Sequence, residues 1–122
     1  MSLTNFEDQT PELTPEEMAE LPAVIHSFRY YDKRNPIKAV VIVQKMNIYL
    51  KMKGSKMKMT DVRLRRMVNY IRTNGLLPLI ATSKGYFTSK NKQEIELQIK
   101  SLQERARSIQ RCANGLKKFL EK

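Results

Sequence analysis

The most regular hydrophobic pattern in the chain lies between residues 61 and 73. Its apolar residues recur at spacings of three, one and three, which puts them on one face of a helix. These residues are Leu64, Met67, Val68 and Ile71. Thr60 before the segment is a typical N-cap residue, and Gly75 after it is a typical helix stop. The sequence therefore predicts a helix over residues 61–73 whose apolar face packs in the core.

The chain before this helix is predicted to form three further helices. A capping box at residues 14–17 begins a short helix over about residues 15–20, which Pro22 ends or redirects. Apolar residues at partly helical spacing indicate a second helix over residues 23–31. A long helix is predicted from about residue 36 to residue 52, although its run AVVIV also resembles a buried strand. Alternating lysines and methionines then suit a short extended connector.

The pattern after residue 75 changes from helical to alternating. Residues 79–82 and 86–88 are predicted to form two short strands, joined by the turn signal Ser83-Lys84-Gly85. Asn91 then caps a last helix. Its apolar residues alternate spacings of four and three without a break, which is a coiled-coil seam: Ile95, Ile99, Leu102, Ala106, Ile109, Ala113, Leu116 and Leu120.

The seam has two interpretations. It packs on the helix's own domain, or it joins two copies of the chain in a homodimer, which we favour. The pair Asn114-Gly115 would end the helix early and shorten the seam.

The order of the predicted elements is the plan of a winged helix-turn-helix: helices, a short connector, an arginine-rich helix and a basic-tipped hairpin. The predicted fold class is mainly α with a small β-hairpin wing and a long C-terminal amphipathic helix. We expect an acidic N-terminal tail with a short helix over residues 1–21, the winged-helix domain over residues 22–90, and the C-terminal helix over residues 91–122.

Composition and charge indicate the class of partner. The 122 residues carry a net charge of +11, with 41% hydrophobic residues, which is enough for one domain with a core. Residues 1–35 hold three basic against seven acidic residues, whereas residues 36–122 hold twenty against five. A basic surface of this size attracts polyanions, and nucleic acid is the commonest of these inside cells. We therefore expect double-stranded DNA as the partner of the second segment.

The outer face of the arginine-rich helix predicts the binding residues. Arginine can donate two hydrogen bonds to guanine and asparagine can pair similarly with adenine, while flanking arginines hold phosphates. The glycine, short hydroxyl and lysine of the hairpin tip suit phosphate or minor-groove contact. The alternatives are a solvated basic face and an ordinary polar turn. The predicted DNA-binding residues are Arg63, Arg65, Arg66, Asn69, Tyr70, Arg72 and Thr73 on the helix, and Ser83, Lys84 and Gly85 on the wing.

An enzyme is not expected, because the chain has few of the residues that usually carry out catalysis. One cysteine and one histidine allow neither a disulfide within the chain nor the ligand sets and triads that these residues usually form, so we expect no cofactor and no metal. No apolar run reaches the ~18 residues of a membrane helix, and the N-terminus lacks the plan of a signal peptide. We therefore expect no membrane partner and a cytoplasmic location.

The segment TDVRLRRMVNYIRTNGLLPLIATSKGYF, residues 60–87, resembles the winged-helix segment of small DNA-binding proteins of bacteriophages and prophages. In that group a D-V-R-R-like helix ends in N-Y-I-R-x-N-G and runs into a P-L-I-A-T-S-x-G-Y-Y wing. The resemblance covers about residues 37–110. It implies that Arg63, Arg66, Asn69 and Tyr70 sit in the groove and Lys84 on the wing, and that the location is the host cytoplasm. It implies DNA binding, as a regulator or a replication or recombination accessory, but no pathway.

Two other hypotheses stay open. The scaffold could instead hold a protein, such as a replisome or virion component, through the heptad helix and the acidic N-terminal segment. Alternatively, residues 1–20 could fold back and shield the basic face as a DNA mimic, since the charge divides so unevenly along the chain.

Overall fold

A computed structural model describes residues 12–121, and these form two compact units that divide after Lys90. The chain is mainly helical, with one small antiparallel hairpin and a long C-terminal helix, which confirms the predicted mix of elements. Residues 1–11 of the predicted N-terminal tail lie outside the described residues. The elements are α1 (Pro15–Phe28), α2 (Ala39–Met52), α3 (Asp61–Thr73), β1 (Leu79–Thr82), β2 (Gly85–Thr88), α4 (Lys92–Lys117) and a terminal 3₁₀-helix (Lys118–Glu121).

Helix α1 corrects two predictions at once. Pro22 neither ends nor divides it, so the two helices predicted on either side of this proline are one. The face of α1 that includes Leu21, Val24 and Phe28 is buried, and its burial favours a continuous helix. Pro22 itself is exposed, so solvent can replace the hydrogen bond that its missing N–H would have made. The helix therefore crosses the boundary predicted at residue 21 and belongs to the first unit.

Helix α2 begins at Ala39, three residues later than predicted. Ile37 instead makes a two-way backbone pair with Tyr86 of β2, and both N···O distances are 2.8 Å. These hydrogen bonds hold Ile37 in an extended conformation and add a third segment to the edge of the hairpin. The buried residues of α2 are Ile42, Met46 and Leu50, spaced by four. The β-branched run predicted as helix is therefore helical, with Val40 and Val41 on the exposed side.

Helix α3 has the predicted bounds, and its predicted apolar face is buried: Leu64, Met67, Val68 and Ile71. Gly75 ends it at a φ of 63°, and the next amide, Leu76 N, donates to Ile71 O at 2.9 Å. A left-handed residue with this return hydrogen bond is the usual glycine stop of a helix. The signals of the sequence at both ends of α3 are therefore confirmed.

The hairpin pairs Leu79 with Thr88 at its base and Thr82 with Gly85 at its tip, so β2 begins one residue earlier than predicted. The side chain of Thr88 joins the hairpin to the end of α1, because its hydroxyl donates to Phe28 O at 2.8 Å. The backbone amide of Thr88 also donates to Tyr31 O at 2.8 Å. These contacts fix the hairpin in the first unit.

The second unit consists of α4 and the 3₁₀-helix. The side chain of Asn91 accepts hydrogen bonds from the amides of Gln93 and Glu94, as an N-cap does. The pair Asn114-Gly115 does not end the helix, since one glycine in a helix costs only about 1 kcal/mol. The seam therefore runs through α4 as far as Leu116, and Leu120 falls in the 3₁₀-helix.

Candidate nucleic-acid interface

The start of α3 is held in place by the connector that precedes it. Met57 and Met59 are buried while Lys56 and Lys58 are exposed, which explains the alternation of these residues in the sequence. Asn47 of α2 binds the connector backbone in both directions: its Oδ1 accepts from Met59 N at 2.7 Å and its Nδ2 donates to Met59 O at 3.0 Å. This clamp positions Thr60, whose hydroxyl accepts from Arg63 N and caps α3.

The outer face of α3 presents part of the predicted binding set to solvent. Arg65 has 55% of its side chain exposed and forms an ion pair with Asp61 one turn earlier. Such an exposed pair contributes little to stability and does not commit the arginine. Asn69 is half-buried and Thr73 is exposed, each one further turn along the same face. Arg65, Asn69 and Thr73 therefore form a stripe at spacings of four, which we call the outer stripe of α3.

Arg63 and Arg66 occupy a different position from the one that the sequence predicts. Both side chains are only 24% exposed and turn towards α1, where the carboxylate of Glu17 lies fully buried. Arg63 Nε donates to Glu17 Oε2 at 2.8 Å, and its Nη1 donates to the carbonyl of Lys58 at 2.9 Å. Arg66 binds the same carboxylate through two nitrogens, Nη2 at 2.5 Å and Nε at 3.3 Å.

The two arginines are therefore internal ion-pair partners. The resemblance implied that Arg63 and Arg66 contact the DNA groove. In the structure both bind the Glu17 carboxylate, because α1 packs on that side of α3. Glu17 lies within residues 1–20, the segment that one hypothesis expects to shield the basic face. Its full burial and its place in the capping box make the contact part of the core.

The Glu17 carboxylate is held ionised by its surroundings. Burial raises its pKa, but hydrogen bonds from Arg66, from the Thr14 amide and from Arg63, together with the Arg66 charge, more than offset this effect. The pKa of Glu17 falls from the ordinary 4.5 to about 2. The hydrogen bond to Glu17 in turn raises the pKa of Arg66. The Glu17 carboxylate is therefore ionised at neutral pH.

The remaining residues of α3 divide between the core and the flank that faces the hairpin. Tyr70 is half-buried and packs against the core cluster, so it serves packing. Burial of Tyr86 in β2 raises its pKa; the Asp61 charge adds to this, and the charges of Arg65 and Arg72 oppose it. Arg65 and Arg72 thus lie within electrostatic reach of the hairpin, on the flank away from Glu17.

The three residues of the hairpin tip that are predicted to contact DNA differ in their exposure. Ser83 and Lys84 are exposed at the turn. Gly85 is packed against backbone instead, at a φ of 131°, and a Cβ placed there would lie 2.5 Å from Ile37 O. Gly85 therefore permits the close approach of the Ile37 segment, which leaves Lys84 as the charged group of the tip.

The sequence did not predict that three residues position this surface: Glu17, Asn47 and Thr88. The capping box identifies Glu17 as a residue at the start of a helix. No local signal in the sequence shows that its carboxylate binds Arg63 and Arg66, more than forty residues later. Asn47 and Thr88 likewise act on backbone 12 and 60 residues away.

Within residues 12–121, no cluster of three or more His, Cys, Asp or Glu side chains could hold a metal ion. None of the helices in that range is long and apolar enough to cross a membrane. Comparison with protein-family models, with curated proteins and with solved structures returns no match.

Proposed function

We propose that the first unit is a winged helix-turn-helix domain that binds double-stranded DNA without catalysis, as a phage-type regulator or an accessory of replication or recombination in the cytoplasm. In this proposal α2, the connector and α3 are the helix-turn-helix, and the hairpin is the wing. The outer stripe of α3 enters the major groove, and Lys84 contacts the backbone or the minor groove.

The distribution of charge in the first unit supports this proposal most strongly. Residues 12–90 contain fifteen basic and six acidic residues, a net charge of +9. Two of the acids, Glu17 and Glu20, are buried and pair with Arg63, Arg66 and Lys53. With these five paired residues set aside, twelve basic and four acidic residues remain in the unit, a net charge of +8, and such a surface neutralises phosphates.

The shape of the site suits the same partner. Arg65 is exposed and Asn69, one turn further along α3, is half-buried; these are side chains that read guanine and adenine edges in the major groove. Arg72 and Lys84 lie on the flank and at the hairpin tip, where arginine and lysine hold phosphates and set register. In this proposal direct readout falls to Arg65, Asn69 and Thr73, while Arg63 and Arg66 hold α3 against α1 through Glu17.

Fluorescence anisotropy of a labelled random duplex, at about 50 and about 200 mM salt, tests the proposal. Phosphate contacts release counterions, so affinity should fall by orders of magnitude between the two conditions. Arg65→Ala should weaken binding about tenfold or more. Arg29→Ala, which removes an equal charge from an exposed position at the end of α1, should weaken it less than about threefold. Absence of binding by the folded protein at low salt would overturn the proposal, as would equal losses in both variants.

A second candidate function is a protein-interaction module of a phage replisome or virion. The uncovered apolar residues of α4 favour it, because they offer a docking face that DNA binding does not use. Capture of such a partner should survive Arg65→Ala, whereas DNA binding should not.

A further inference from the structure

Helix α4, in the second unit, carries an apolar face of exposed side chains. No residue of α4 is buried, and four large side chains of the seam are between 36% and 68% exposed. They are Ile99, Leu102, Ile109 and Leu116. Apolar side chains that recur in heptads along an exposed helix are the pattern of helix pairing.

We propose that this seam binds the same seam of a second copy of the chain, with the two helices antiparallel. The partner is thus a second α4, and the orientation is a new property that neither the heptad pattern nor the DNA-binding proposal requires. The sizes of the seam residues, the charges of the two helix halves and one pair of flanking residues each favour the antiparallel arrangement.

The seam residues pack evenly only when the helices are antiparallel. In a parallel pair in register each seam residue faces the same residue of the partner. Ala106 and Ala113 would then each face an alanine, and these two layers of the interface would be underpacked. In the antiparallel pair Ala106 faces the partner's Ile109, and Ala113 faces the partner's Leu102. Ile99 then faces the partner's Leu116. Every layer of α4 then contains at least one large side chain, which avoids the cavities that protein interiors exclude.

The charges of α4 favour the same orientation. Residues 92–104 hold two lysines and three glutamates, a net charge of −1, and residues 105–117 hold three arginines and one lysine without an acid, a net charge of +4. A parallel pair would set the two +4 halves side by side. The antiparallel pair sets each +4 half beside a −1 half, and it also aligns the two helix dipoles favourably.

One pair of flanking residues reports the orientation directly. Glu96 and Lys117 each follow a seam residue, Ile95 and Leu116, and so occupy the flanking positions that form interhelical ion pairs. In the antiparallel register Glu96 lies opposite the partner's Lys117. In the parallel register neither residue has an opposite charge at the matching position, because the residues there are Asn91 and Cys112.

Disulfide trapping in the full chain tests the orientation. In a Cys112→Ser background, which removes the exposed native thiol, Ile99→Cys and Leu116→Cys are made as separate variants with different tags. In the antiparallel dimer two copies of position 99 lie about 25 Å apart, by the rise of 17 helical residues, so neither variant should crosslink to itself. The mixed variants should give the heterodimer on oxidation. Self-crosslinking of each variant alone, without heterodimer, would show a parallel dimer and overturn the proposal.

Sedimentation equilibrium gives an independent test of the seam. Leu102→Lys should convert the dimer to monomer, whereas Leu97→Lys should leave it intact. Leu97 is the matched control because it is 68% exposed but lies off the seam. A wild-type chain that is monomeric at all concentrations, or equal effects of both substitutions, would refute the proposal.

A charge swap tests the orientation without any cysteine. Glu96→Lys should raise the dimer dissociation constant several-fold, and adding Lys117→Glu should restore it, because the pair is then reversed but opposite again. A lack of rescue would contradict the antiparallel register.

Discussion

The buried carboxylate of Glu17 gives the sharpest test of the structure, through the substitution Glu17→Gln. Glutamine has nearly the shape of glutamate and is equally compatible with the capping box that begins α1, so the substitution removes the charge and little else. The two guanidinium groups of Arg63 and Arg66 then lose their carboxylate while they stay mostly covered.

The magnitude follows from the pKa of Glu17. A pKa of 4.5 in the unfolded chain and about 2 in the folded protein corresponds to about 3 kcal/mol of stability at neutral pH. Because the folded pKa is the lower one, this stability is complete above pH 4.5 and is lost as the pH falls towards 2. Roughly half should remain at pH 3. Protonated glutamate resembles glutamine, so the wild type and the variant should converge in acid.

The assay is urea unfolding followed by tyrosine fluorescence at several pH values between 7 and 3. All five tyrosines lie between residues 30 and 86, so this signal reports the first unit and not α4. Subtracting the variant from the wild type cancels the contributions of all other groups and isolates that of Glu17. Glu16→Gln, at the exposed neighbouring position, is the control and should change the free energy of unfolding by less than about 1 kcal/mol.

Two results would refute this reasoning. A loss well below 1 kcal/mol at pH 7 would mean that Arg63 and Arg66 do not depend on Glu17. A loss that is as large at pH 3 as at pH 7 would mean that the carboxylate charge is not what stabilises the contact.

Three further predictions concern the scaffold and the interface. Gly85→Ala should destabilise the first unit by about 2 kcal/mol or more, because its Cβ would clash with Ile37 O. Gly115→Ala lies in open space and should instead stabilise α4 by about 0.5–1 kcal/mol. Thermal melting followed by circular dichroism measures both effects. Asn47→Ala should cost about 1–3 kcal/mol in urea unfolding by freeing the connector, whereas Ala at exposed Gln44 should cost less than about 0.5 kcal/mol. Lys84→Ala should weaken duplex binding at all sequences alike and reduce the salt slope by about one, and a sequence-selective loss would contradict a phosphate contact.

The sequence predicted most accurately those elements whose ends are set by neighbouring residues. The bounds of α3 follow from the Thr60 cap and the Gly75 stop, and the start of α4 follows from Asn91. The hairpin was placed to within one residue, because a turn signal lies between two short apolar runs. Each of these signals acts within a few residues and needs no tertiary contact.

The sequence failed where a distant contact overrides the local preference. Pro22 is a helix breaker by propensity, but burial of one face of α1 keeps the helix continuous through it. Ile37 was predicted to be helical, but pairing with Tyr86, nearly fifty residues later, makes it extended. Helix propensity is worth a few tenths of a kcal/mol for most residues and about 3 kcal/mol for an interior proline, which is comparable with the burial of one or two large apolar side chains, so contacts of this kind can outweigh it.

The candidate site shows the same division. The sequence by itself determined that α3 is an amphipathic helix with arginines outside its apolar face, because the periodicity and the charges are local properties. Only the tertiary structure decided which arginines face solvent. Glu17 from α1 binds Arg63 and Arg66 and leaves Arg65 on the outer stripe, since a buried carboxylate needs hydrogen-bond donors and these are the ones that the packing of α1 on α3 supplies.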